Sequence, residues 1–133
     1  MANFVVIFTQ DHPDYKRPQH VTHLIYSGND IQCLIKDTTK YINSYLLELF
    51  NCYPADMKTT LEVLKEQIKT IKTIDQLLIF IVTIEKDLYR YYTEIAYRDI
   101  YYDNAGTFNV FKWDVDKQQL VLINLNKNFP HMN

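Results

Sequence analysis

IDQLLIFIVTIEKDLYRYYTEIAY, running from Ile74 to Tyr97, decides how the rest of the chain is read. Leu77, Ile81, Ile84, Leu88, Tyr91 and Ile95 recur at alternating spacings of four and three, which draws one apolar stripe along a helix. Leu77–Ile84 alone would also suit a strand, but its length and the continuing stripe favour a helix from Ile74 to about Tyr97. In its first half Ile79, Phe80 and Val82 occupy other faces, so that half is expected to be apolar all round and central. Lys86, Arg90 and Glu94 return to the far side, so the second half is expected to be half-exposed.

Upstream, Thr73-x-x-Gln76 has the form of a capping box and marks the start of this helix. Met57, Leu61, Leu64, Ile68 and Ile71 before it form a narrow seam. Lys58, Glu62, Lys65, Glu66, Lys69 and Lys72 take the remaining faces, as on a surface helix opening near Asp56. A single kinked helix through both segments is the alternative, since no Gly or Pro separates them. Before Pro54, the positions Ile42, Tyr45, Leu46, Leu49, Phe50 and Tyr53 predict a further helix, capped by Asp37.

Both ends of the chain read as strands. Asn3–Gln10 (NFVVIFTQ) is β-branched and aromatic, and is expected to be buried on both faces. Asp11–His20 reads as a loop and His20–Tyr26 as a second strand. After the turn signal Ser27-Gly28-Asn29-Asp30, the alternation in Ile31–Lys36 favours a hairpin strand over the rival reading, a helix beginning at Asn29. Asp103–Gly106 reads as a turn, Thr107–Val115 as a strand, Asp116–Gln118 as a turn and Gln119–Asn126 as its partner strand. Ile100–Tyr102 would add a short strand, and Lys127–Asn133 a frayed tail. Strands, then helices, then strands predict an α+β fold. It is one domain over residues 1–133, an antiparallel sheet of N-terminal strands and a C-terminal hairpin, packed on one face by about three central helices.

Composition narrows function more than it defines it. With 133 residues, 47% hydrophobic and only 2 Gly, the chain suits one folded domain rather than a disordered or collagen-like one. A net charge of −2 argues against a dedicated duplex-DNA binder, which needs a basic field. Cys33 and Cys52 form no CxxC pattern and read as reduced thiols. No basic leader precedes the short apolar run Phe4–Phe8, and no run approaches the ~20 residues that cross a bilayer. A soluble intracellular protein, cytoplasmic or nuclear, is expected. The excess of Ile, Lys, Asn and Tyr suits AT-rich coding, as in a virus, a phage or a low-GC microbe.

No cofactor is expected: with Gly28 and Gly106 alone, neither a dinucleotide fingerprint nor a phosphate loop can be written. His20-x-x-His23, near His12, Asp11 and Asp14, invites a metal reading. On a strand, however, residues three apart point to opposite faces, so no metal site is expected there. Asp114-Val115-Asp116 on a strand would place two carboxylates together, as a divalent cation requires, yet it precedes a turn where Asp bonds local backbone. These aspartates, with the loop histidines, make a metal-dependent hydrolase or nuclease the alternative to a non-catalytic module.

Tyrosine is the compositional anomaly. Of 11, six fall at Tyr89, Tyr91, Tyr92, Tyr97, Tyr101 and Tyr102. Apolar across the ring and polar at the hydroxyl, tyrosine suits interfaces. A binding or assembly module is therefore expected, contacting a protein partner or another copy through Tyr89, Arg90, Tyr92, Tyr97, Arg98 and Tyr101. Simple filling of a core is the plainer account of the same rings. Stacking of single-stranded nucleic acid on Tyr and Arg is a further alternative. Glu85, Asp87, Glu94 and Asp99 nearby would repel phosphates and favour protein. Tyr15, Lys16 and Arg17 form a second candidate for recognition, in the N-terminal loop.

Overall fold

A computed structural model places residues 3–12, 19–52, 58–90 and 106–124. The order is β1 (Phe4–His12), β2 (Gln19–Gly28), α1 (Ile31–Cys52), α2 (Lys58–Ile68), α3 (Ile74–Arg90), β3 (Gly106–Asp114) and β4 (Gln119–Leu122). The four strands form one antiparallel sheet in the order β2-β1-β3-β4, with the helices packed on it. This is the α+β architecture expected. The N-terminal strand pairs on one side with β2 and on the other with the C-terminal hairpin, Phe8 opposite both His23 and Phe108. The proposed strand at Ile100–Tyr102, the tail Lys127–Asn133 and the continuation of α3 past Arg90 lie outside the described residues.

Ile31–Lys36 is the first turn and a half of α1, not a hairpin strand. A strand would turn Ile31, Cys33 and Ile35 to one side and Leu34 to the other, whereas helical spacing buries Leu34 and Ile35 together and leaves Ile31 and Cys33 exposed. The boundary is set by Asp30, not Asp37: its Oδ1 accepts the amides of Gln32 (3.0 Å) and Cys33 (3.2 Å), which the first helical turn leaves unpaired. These bonds hold the Asp30 carboxyl below its ordinary value, and the same carboxylate pushes the Cys33 thiol up. From there Leu34, Ile35, Thr38, Ile42, Tyr45 and Leu46 give one buried stripe.

The capping box is present. The Gln76 amide donates to Thr73 Oγ1 (3.1 Å), and Gln76 Oε1 accepts the amides of Thr73 (3.1 Å) and Lys72 (2.7 Å). It separates α2 from α3, so the two are not one kinked helix. Leu64 on α2 and Ile71 in the connection are buried, as the seam requires. On α3, Leu77, Ile81 and Ile84 are 0% exposed, each contributing roughly 1.5–3 kcal/mol of burial. The expectation that this half is apolar all round and central fails at Ile79, which is 57% exposed. With a single sheet to cover, α3 buries one side and shows the other to solvent.

Two ring-bearing strands meet α1 in the core. Phe8 and Phe108 lie 4.7 Å apart between centroids, with Tyr45 at 5.2 Å and 5.8 Å from them. The chain enters β3 through Gly106, whose amide donates to the Tyr45 hydroxyl (3.2 Å). A side chain at Gly106 would overlap Cε2 and Cζ of the Phe8 ring, so this close approach requires glycine. Glu85 of α3, buried at 8% exposure, accepts the Phe108 amide through Oε1 (3.1 Å) and ties the last helix to the sheet.

β4 stops at Leu122, short of the expected Asn126. The Asn124 side chain takes its place on the ladder, accepting the Val110 amide (2.6 Å) and donating to the Phe108 carbonyl (2.6 Å). β1 is not buried on both faces either. Phe4, Val6 and Phe8 are buried under the helices, while Val5, Ile7 and Thr9 are only half-buried. The reason is the layer count: three helices cover one side of a sheet, and among the described residues no element packs on the other.

Candidate binding surface

The residues expected to make contacts fall largely outside the described part of the molecule. Tyr89 and Arg90 are placed as the end of α3; Tyr92, Tyr97, Arg98 and Tyr101 lie outside, as do Tyr15, Lys16 and Arg17. One part of the argument for that region changes. Glu85 is turned inward onto the Phe108 amide, so it does not belong to the acidic surroundings of an exposed tyrosine face.

The alternative site is not assembled as a cation site would be. Asp114 closes β3, and its Oδ1 accepts the amides of Asp116 (2.9 Å) and Lys117 (3.0 Å). That is the turn role that aspartate performs at a hairpin. Asp116 stands in the turn rather than on the strand. His12 and His20 belong to β1 and β2 rather than to a loop, because the strands extend through Asp11, His12 and Gln19. In register His20 lies opposite Asp11 and His23 opposite Phe8, and the His23 ring stacks on Phe8 at 6.4 Å. Among the described residues, no three His, Cys, Asp or Glu side chains converge to hold a metal ion. No helix among them is long and apolar enough to cross a membrane.

What the structure does assemble is the side of the sheet away from the helices. Strand alternation and register place Val5, Ile7 and Thr9 of β1 there, level with Ser27, Leu24 and Thr22 of β2. On the other side they stand level with Phe111, Asn109 and Thr107 of β3, and Phe111 and Trp113 are in turn level with Leu122 and Leu120 of β4. Of these twelve side chains seven are apolar and none is ionisable; beyond Thr9 and Thr22 the same alternation reaches the ionisable pair Asp11 and His20 at the end of β1 and β2. Leu24 is 65% exposed, Leu122 50% and Leu120 42%, while Val5, Ile7, Phe111 and Trp113 are half-buried. None of the seven belongs to the core that the helices complete.

A sheet face left to water normally carries polar and charged residues at alternate positions. Here the alternation is broken by apolar residues on both parities, and this is the signal the sequence carried. It appeared as a strand buried on both sides, because an apolar residue facing the core and one facing a partner look alike. A contiguous apolar surface of this kind marks a contact region. The flanks are polar: Thr9, Thr22 and Thr107 stand together at one end, with Thr9 and Thr107 hydroxyls 3.5 Å apart. Among family models, curated proteins and solved structures, no match to the chain is found.

Proposed function

We infer that the protein is a non-catalytic, intracellular binding and assembly module, and that the open face of its sheet packs against the same face of a second copy. The observation that carries this reading is the uncharged apolar surface around Ile7, Leu24, Phe111, Trp113 and Leu122. In a two-fold contact the residues nearest the axis meet their own copies, so an exposed charge there would meet a like charge. The twelve central positions avoid that penalty, with the ionisable pair Asp11 and His20 confined to one end of the face. Two sheets stacked face to face, ~10 Å apart, interdigitate side chains of this size.

The apolar part of the face, about six residues along four strands, spans roughly 20 by 20 Å, a footprint of about 400 Å² on each copy. That is at the low end for specific protein contacts, which suits a reversible dimer rather than an obligate one. The tyrosines from Tyr89 to Tyr102, with Arg90 and Arg98, provide a second contact region in the same reading.

Sedimentation velocity over a concentration series, from about 1 µM to about 300 µM, tests the proposal in the range that so small an interface implies. The sedimentation coefficient is expected to rise toward that of a dimer. Leu122→Asp and Leu24→Glu, both at exposed positions, should hold the protein monomeric with its circular dichroism unchanged. A wild-type protein that stays monomeric throughout refutes the second copy as occupant. A dimer that survives both substitutions but is lost in Tyr89→Ala with Tyr97→Ala moves the contact from the sheet to the tyrosine region.

A further inference from the structure

The chain is weakly acidic overall, yet it gathers lysines in one place. Lys36 and Lys40 stand one turn apart on α1, while Lys65 lies in the last turn of α2 and Lys69 in the turn that follows its end at Ile68. All four line a groove of about 430 Å³ between the two helices, together with Thr39 and Asn43. Among the described residues the only carboxylate in the lining is Glu66, which pairs with Lys69 at 2.9 Å, both side chains being about 70% exposed. Four ammonium groups and one carboxylate give the groove a formal charge of +3 in a chain of −2. Like charges one turn apart destabilise a helix slightly, as Lys36 and Lys40 do on α1, and Lys65 and Lys69 line the same groove. Lys65, and Lys69 just beyond it, suit the C-terminal end of α2, but the crowding of all four ammonium groups along one groove remains. An anion seated between the helices would relieve it.

We propose that the α1–α2 groove binds a small polyphosphate, its phosphates bridging the Lys36–Lys40 pair and the Lys65–Lys69 pair. The groove volume is that of a site for a small molecule. Lysine acts as a point charge and needs no planar fork, so clustered phosphates suit this lining better than a single carboxylate. Among the described residues no aromatic ring lines the groove, and Ile68 is its one large apolar side chain. It therefore offers no platform on which a base could stack, which favours a phosphate-dense ligand over a nucleic-acid strand. This site lies on the helical layer and does not depend on the assembly reading of the sheet.

Tripolyphosphate is the probe, with affinity measured by titration calorimetry on the full chain at about 0.05 M ionic strength and again at about 0.5 M. Binding at the lower value is expected, weakened by about tenfold or more at the higher one. Lys40→Gln with Lys65→Gln should lower affinity by about tenfold, the order expected for losing two charge-assisted contacts. Lys86→Gln with Lys117→Gln removes the same charge from exposed positions elsewhere and should leave affinity unchanged. All four substitutions are at residues outside the core, and thermal melts confirm that each variant is folded. Equal losses in both double variants would reduce the effect to net charge and overturn the site. So would no binding at low salt, or binding of a single-stranded oligonucleotide without binding of tripolyphosphate.

Discussion

Replacing Thr38 with valine should make the fold more stable, although it deletes a polar group from a protein interior. Thr38 lies mid-way along the buried stripe of α1 at 0% exposure, and its Oγ1 has no hydrogen-bond partner among the described residues. Its neighbour behaves differently: Thr39 Oγ1 donates to the Ile35 carbonyl at 2.7 Å. A hydroxyl removed from water and left unpaired costs about 1–3 kcal/mol. Valine puts a methyl group in the same volume, and the two residues differ little in helix propensity. The expected gain is therefore about 1–2 kcal/mol. For 133 residues the unfolding entropy is about 280 cal/mol/K, so each kcal/mol moves Tm by about 3–4 °C. Thr38→Ser is the matched control, because it keeps the hydroxyl and removes a buried methyl, at a loss of about 1 kcal/mol. Urea melts followed by circular dichroism, with slopes unchanged, give both differences. A valine variant less stable than wild type, beside a serine variant close to it, would show that the hydroxyl is bonded and refute the reasoning.

Two further substitutions test the local structure. Gln118, at φ 54°, holds the left-handed conformation that closes the β3–β4 hairpin. Gln118→Gly should raise stability by about 0.5–1 kcal/mol in the same melts, and no gain would mean that the turn is not strained there. Asp30 provides the pH dependence. Its folded-state value is held below the ordinary 3.8 by the amides of Cys33 and Gln32, so its contribution is present above that value and lost as pH falls through the lower folded one. Asp30→Asn keeps a capping oxygen without the titration. The stability difference between wild type and this variant should shrink in acid; a difference that is constant with pH would exclude the carboxylate as the source.

Local chemistry and tertiary structure decided different parts of this molecule. Thr73 and Gln76 state their own capping box, because both partners lie within one turn and no distant residue is needed. The same holds for the buried spacing of Leu77, Ile81 and Ile84, and for Asp114 at its hairpin turn. The sequence alone therefore determined the α+β class and, apart from Ile31–Lys36, the type and order of the described elements. At Ile31–Lys36 two local patterns competed, and the winner was fixed by the Asp30 cap together with the sheet that buries Leu34.

Tertiary structure decided which faces are covered. Val5 and Val6 are the same residue type in the same strand, yet Val6 is at 0% exposure beneath the helices and Val5 stands on the open side. Nothing local distinguishes them, because burial depends on how many layers the chain can stack and where each helix lands. Glu85 reaches the Phe108 amide across 23 residues, and Lys40 meets Lys65 only where α1 and α2 pack together. Periodicity reports which residues share a side, whereas only the assembled layers determine what that side meets.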